Sequence, residues 1–161
     1  MIIRTATVSD AAEMAELLNE IIRIGGTTAN QQEFTVEATK AFIEKLKATG
    51  CIHVARDKAT DSLLGYQSLE YYDDLPKTLG IIATFSKVGG TRRGIGSALF
   101  VATRAAAATL GFTEIDATIR ADNIGGLAYY SKMGFLDHSV IKDLPLDDGT
   151  LVDRISKRLM L

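Results

Sequence analysis

The chain has 161 residues, 47% of them hydrophobic and 24% charged, with a formal net charge of -2. That length suits one domain spanning residues 1–161 with a sizeable buried core, and that balance excludes disordered, collagen-like and coiled-coil chains. No global basic field exists to recruit nucleic acid or an anionic membrane, so any polyanion has to be held by a local device.

Residues 2–6 (IIRTA) read as a short strand. Thr7-x-x-Asp10, overlapped by Asp10-x-x-Glu13, is a capping-box signature, and Met14, Leu17, Leu18, Ile21 and Ile22 follow at helical spacing, so a helix should end by Gly25. The polar stretch Gly25 to Glu33 reads as a loop. A second helix is predicted from an N-cap at Thr35, burying Phe42, Ile43 and Leu46 and stopping at Gly50 as a left-handed terminator. Cys51 to Arg56 and Leu63 to Tyr72 read as a hairpin across the turn cluster 57–62, and Leu79 to about Lys87 reads as a further strand. A helix is expected from about Ile95 to Leu110. In Glu114 to Ile119 polar and apolar residues alternate strictly, the pattern of a half-exposed strand. Residues 124–132 can form a short helix, and the remainder reads as two strands joined at Asp148-Gly149. The order β α α β β β α β α β β, with a βαβ unit over 79–119 between antiparallel hairpins, implies an α/β (α+β) domain with a mixed sheet covered by helices.

Cys51 is the lone cysteine. It can form no internal disulfide and no cysteine zinc site, and it points to a reducing, cytoplasmic compartment; it reads as a small core residue. No apolar run reaches membrane-spanning length, and MIIRTATVSD lacks the regions of a signal peptide.

The strongest chemical signal is a strand running through Gly89-Gly90-Thr91-Arg92-Arg93-Gly94-Ile95-Gly96-Ser97 into a helix. The first-turn backbone N–H groups of such a helix are unpaired and favour an anion, glycine admits it close to the backbone, and Arg92, Arg93 and Ser97 can add donors. A nucleotide P-loop needs Gly-Lys-Ser/Thr, which is absent, and the dinucleotide fingerprint needs a third small residue where Leu99 stands.

Thr91-Arg92-Arg93-Gly94-Ile95-Gly96 resembles motif A of the GNAT N-acetyltransferase superfamily, Gln/Arg-x-x-Gly-x-Gly/Ala, with Thr91 in place of the long first donor. Asn123, Tyr130, Gly134 and Phe135 likewise meet the spacing of that family's motif B. The resemblance extends over nearly the whole chain and implies a GNAT fold of about seven mostly antiparallel strands and about four helices. It further implies acetyl-CoA as cofactor, with its phosphates along Thr91 to Ser97 and its pantetheine beside Thr84, Phe85 and Ser86. Asn123 would contact the cofactor, and Tyr130 would protonate the departing thiolate. A stretch similar to the phosphinothricin and methionine sulfone acetyltransferases, Asn19 to Ala29, favours a free amino acid or small xenobiotic amine as acceptor. Thr27 and Thr28 would line the acceptor side.

A base or water chain must reach the acceptor amine. The strand before motif A carries no carboxylate, which leaves Glu70, at the end of the preceding strand, as the topological candidate; a solvated strand end explains it equally well, and explains Asp73 and Asp74 better. His53 reads as a strand residue. The missing strand carboxylate and Thr91 keep a non-catalytic acyl-CoA-sensing module open as an alternative. No metal site is expected, and the C-terminal strands permit a homodimer.

Overall fold

The computed structural model describes residues 1–90 and 93–161. Seven strands and four helices follow the expected order: β1 (Ile2–Thr5), α1 (Ala11–Ile24), α2 (Val36–Thr49), β2 (Gly50–Arg56), β3 (Leu63–Glu70), β4 (Leu79–Ser86), α3 (Ile95–Thr109), β5 (Glu114–Arg120), α4 (Ile124–Lys132), β6 (Leu136–Pro145) and β7 (Leu151–Met160). They form a single sheet in the order β1-β2-β3-β4-β5-β7-β6. Every neighbouring pair is antiparallel except β4 and β5, which α3 joins by a crossover.

Helix limits follow local chemistry. Gly25, at φ +75°, ends α1, and Thr35 Oγ1 accepts the Ala38 N–H at 3.0 Å to start α2. Gly50 departs from expectation. It lies at φ 174°, extended rather than left-handed, and opens β2 opposite Glu70. Its glycine is required by close approach, because a Cβ there would stand 1.8 Å from the Leu69 carbonyl oxygen.

Two layers of helix bury the two faces of the sheet. Met14, Leu17, Ile43 and Leu46 of α1 and α2 pack with Ile52, Val54 and Tyr66. Phe100 and Ala107 of α3 pack on the opposite face with Leu69, Ile82 and Ile115, joined by Tyr130 and Phe135. His53, on that second face, bonds Thr103 of α3 through Nδ1 at 3.1 Å, and burial lowers its pKa, so it is a core residue. The alternation in β5 proves only partly solvent-directed, since Asp116 is buried on the face opposite Ile115.

One buried charge ties β1, β2 and α1 together. Asp10, 2% exposed, accepts two hydrogen bonds from Arg4 at 2.8 Å, one from Arg56 Nη1 at 2.9 Å and one from the Thr7 N–H at 2.8 Å. Burial alone would raise the carboxyl, but the Arg4 bonds, the Thr7 N–H and the charges of Arg4 and Arg56 outweigh it and hold the group below its ordinary 3.8. Because the folded-state value lies below the unfolded one, this stabilisation is complete above about pH 4 and is lost as pH falls through the folded-state pKa. Asp10→Ala should therefore cost about 3 kcal/mol in urea unfolding at pH 7. The gap between wild type and variant should narrow as the titrations are repeated at progressively lower pH below 4.

Candidate active site

The β4–β5 pairing lasts only from Leu79 opposite Glu114 to Ile81 opposite Asp116. Beyond it the strands part, and a cleft of about 1000 Å³ opens between Ala83–Ser86 of β4, Thr118–Arg120 of β5, the start of α4 and the loop at Thr27–Asn30. Along Gly65–Glu70, β3 pairs with β4 from Ser86 to Ile81, so one edge of β4 is fixed while the other faces the cleft.

The turn into α3 lies at one end of this cleft. Gly94, at φ +83°, is the N-cap of α3, a backbone conformation that a side chain would strain. Ile95 buries its side chain with Ala55 and Leu99, so it can offer a ligand only its backbone N–H. Arg93 is exposed, Ser97 half-buried, and Gly96 lines the cleft. Thr91 and Arg92 lie outside the described residues. Gly96 has a packing role that the sequence did not disclose: a Cβ would come within 2.7 Å of the Tyr129 ring, whose hydroxyl donates to the Gly96 carbonyl at 2.9 Å.

Tyr130 stands on the opposite wall. It is buried among Tyr129 and Phe135 in edge-to-face contacts, with ring centroids 4.8 and 5.2 Å away. Its hydroxyl lies 2.8 Å from Thr84 Oγ1 on β4. Gln67, fully buried on β3, donates from Nε2 to Thr84 Oγ1 at 2.8 Å and to the Tyr129 hydroxyl at 3.2 Å. Burial pushes the Tyr130 phenol well above its ordinary 10, so it stays protonated throughout the physiological range.

Thr27 and Thr28 do line the cleft, held by their backbones. Asn123 Nδ2 donates to the Thr27 carbonyl at 3.1 Å, and Arg120 Nη1 donates to that of Thr28 at 3.1 Å. Buried Asn19 clamps the far end of the same loop, donating to the Phe34 carbonyl at 2.9 Å and accepting the Phe34 N–H at 2.7 Å. Asn123 Oδ1 also caps α4 by accepting the Gly126 N–H at 2.9 Å. The Asn123 side chain thus has protein partners at both ends and joins α4 to the loop at Thr27–Asn30. Gly126 also lines the cleft, and the cap by itself disfavours a side chain there, since a Cβ would lie 2.6 Å from Asn123 Nδ2. Gly125 has nothing nearer than 3.9 Å and opens onto the cleft.

The structure does not bring Glu70 into the cleft. It ends β3 on the side of α2, largely buried, and pairs with Lys45 at 2.7 Å. Its register opposite Gly50 and Ile81 turns it toward that helix. Among the described residues lining the cleft, Asp116 is the only carboxylate. It accepts from Thr118 Oγ1 at 2.9 Å, from Arg158 Nε at 3.1 Å and from Ser156 Oγ. Sequence reading missed Asp116 because two of its partners, Ser156 and Arg158, lie on β7, some 40 residues away, and only strand register pairs them. Burial pushes the Cys51 thiol up to about 11, which leaves it no nucleophilic role. No group of side chains suited to a metal occurs among the described residues.

A sequence profile for the acetyltransferase (GNAT) domain matches residues 3–155. No curated protein sequence matches the chain. Among solved structures the fold is similar to yncA of Salmonella typhimurium, solved with its cofactor acetyl-CoA, at TM-score 0.90 and 18% identity over 100% of this chain and 94% of that one. It is equally similar, at TM-score 0.90 and 18% identity over the full length of both chains, to a ribosomal-protein-alanine N-acetyltransferase from Brucella melitensis. A phosphinothricin acetyltransferase from Sinorhizobium meliloti, in complex with acetyl-CoA, superposes at TM-score 0.89 and 18% identity over 99% of this chain and 88% of that one. With a family match covering almost all of its length, laid on the seven-stranded sheet and parted β4–β5 pair described above, this chain belongs to the GNAT acetyltransferase family.

Proposed function

We propose that the protein acetylates the amine of a small molecule from acetyl-CoA, by direct transfer while both substrates occupy the cleft. The observation that carries this reading is a buried, protonated phenol, Tyr130, held at the point where β4 leaves β5 open. The cleft fits acetyl-CoA on its own geometry. Beyond Ile81, β4 offers unpaired N–H and C=O groups on its β5 side, suited to an extended amide arm, and the first turn of α3 offers backbone donors for phosphate. Bound acetyl-CoA supplies an activated thioester.

Direction of proton flow follows from the hydroxyl network. The Gln67 amide donates to Thr84 Oγ1, so the Thr84 proton is free to point at the Tyr130 oxygen. That leaves the Tyr130 proton available to the cleft, where it can pass to the sulfur as the C–S bond breaks and the amine nitrogen bonds the acetyl carbon. With Glu70 paired to Lys45 and Asp116 fully hydrogen-bonded, the proton of the amine leaves through water in the open cleft. The lack of a free carboxylate there is the observation favouring the second reading, a module that binds acyl-CoA without turnover. A reducing cytoplasm is the compartment proposed; no described helix is long and apolar enough to cross a membrane. Homodimerisation is proposed through β6, the edge of the sheet, which exposes Leu136 and Val140.

Thiol release from acetyl-CoA over a panel of amines tests the reading. Tyr130→Phe should lower kcat by about 100-fold or more, with acetyl-CoA affinity retained, and Thr84→Val should show a smaller loss in kcat alone. No alkaline fall in kcat from this phenol should appear below its ordinary pKa of 10. Wild-type turnover by Tyr130→Phe removes the role assigned to it, and stabilisation by acetyl-CoA without thiol release from any amine establishes the second reading.

The helix glycines give a separate test. Alanine is favoured over glycine within a helix by about 1 kcal/mol. Gly125→Ala should raise the melting temperature while weakening stabilisation by acetyl-CoA. Gly126→Ala should lower the melting temperature despite the same gain in propensity, because its Cβ displaces the Asn123 cap.

A further inference from the structure

The part of the cleft beyond β5 is floored by β5 and β7, whose register sets Asp116 opposite Arg158, Thr118 opposite Ser156 and Arg120 opposite Arg154. All six line the cleft. Three of them are arginines, and two of these are held by carboxylates. Arg120 holds Asp122 through Nε and Nη2 and the Thr28 carbonyl through Nη1. Arg158 holds Asp116 at 3.1 Å and Glu114 at 3.2 Å.

Arg154 differs from both. Its Nε is shut off from solvent and has no hydrogen-bond partner, and no ion pair engages its guanidinium among the described residues. The other acids nearby are committed elsewhere: Asp116 to Arg158, Ser156 and Thr118, and Asp153 to Lys142 and the Asp143 N–H. A guanidinium cannot shed its proton, so burial leaves a donor whose desolvation nothing in the protein offsets. A ligand meets the rest of the same half-buried guanidinium, whose terminal amino groups line the cleft with no partner among the described residues. Among the described residues lining the cleft, the other cation without a partner, Lys87, lies past the end of β4, toward the start of α3.

We propose that Arg154 receives a carboxylate carried by the acyl acceptor, so that the amine substrate is an amino acid or a comparably short amino-carboxylate. This rests on the reading of the cleft as an acetyl-transfer site. One guanidinium fork matches one carboxylate in planar, bidentate geometry. The hydroxyls of Thr118 and Ser156 stand near it as neutral neighbours, and Asp116, the single carboxylate among the described residues lining the cleft, is already paired with Arg158. Polyamines and amidated peptides leave the Arg154 donor unpaired and are discriminated against for that reason.

Matched pairs test this: methionine against methioninamide, and phenylalanine against phenylalaninamide, assayed by thiol release from acetyl-CoA. The amide member has the more readily deprotonated amine, so a preference for the acid cannot arise from the nucleophile. Wild type should favour the acids by at least about tenfold in kcat/KM, the low end of what one hydrogen bond to a charged group contributes. Arg154→Gln should abolish that preference by raising KM for the acids, and Arg154→Lys should restore part of it. Equal kcat/KM for acid and amide in wild type overturns the proposal whether or not the variants fold, as does an unaltered ratio in Arg154→Gln. Thermal stabilisation by the same four compounds, without acetyl-CoA, separates the two readings. If no amine releases thiol but the acids alone stabilise wild type and not Arg154→Gln, the carboxylate site stands and the transfer reading fails. If neither turnover nor selective stabilisation appears, both fail.

Discussion

Everything in the cleft depends on a parallel strand pair that stops after three residues. Pairing between β4 and β5 from Leu79 to Ile81 fixes where both strands begin, and its end frees the remaining edge of β4. Backbone polar groups without partners inside a protein are costly, so an edge released next to a buried core needs water or a ligand against it. Antiparallel pairing with β3 as far as Ser86 keeps that edge straight and rigid. The crossover helix α3 must start where β4 ends, which brings its unpaired first-turn N–H groups to the mouth of the same opening. Binding groups at the turn and along the strand are thus consequences of one topological decision.

The polar residues enclosed around this opening fall into two sets, one for each wall. Gln67, Thr84, Tyr129 and Tyr130 form a chain of neutral hydroxyl and amide groups on the face packed by α3. Asp116, Ser156 and Arg158 form a charged set on the other face. A neutral network leaves a phenol protonated by desolvation alone, whereas a charged neighbour would bias its titration in one direction. On the proposed reading, separating the two sets by the thickness of the sheet would let one wall donate a proton while the other handles charge.

Features set by nearby residues were legible in the sequence. The end of α1 at Gly25, the Thr35 cap, the position of α4 and the βαβ crossover all follow from contacts within a few residues, and the glycine-rich turn into α3 sits where its spacing placed it. Features set by distant pairing were not. Glu70 looks like a solvated end until α2 brings Lys45 against it, and Gly50 looks like a helix terminator until Leu69 closes on it from β3. The alternation of β5 identified its two faces but not that one face would meet Arg158 and Ser156 from the last strand. Gly96 and Gly126 were visible as glycines near a site, yet their requirement comes from Tyr129 and from the Asn123 side chain, which no spacing rule reveals. Arg154 carried no signal at all in the sequence, because what distinguishes it is a missing partner.

Residues at the start of α4 connect the two substrate sides mechanically. Asn123 caps the helix that carries Tyr130 and, through its other end, holds the Thr27 carbonyl; Arg120, one strand end away, holds Thr28. Backbone carbonyls gripped by side chains fix a loop's path while leaving its own side chains free to vary. Thr27 can therefore be exchanged without releasing the wall, whereas the Thr28 hydroxyl braces the loop by accepting the Asn30 N–H, and displacement of Asn123 shifts the wall and α4 together. On the proposed reading, acceptor selectivity is consequently separable from the chemistry at Thr27 and on the β7 floor, and inseparable from it at the α4 cap.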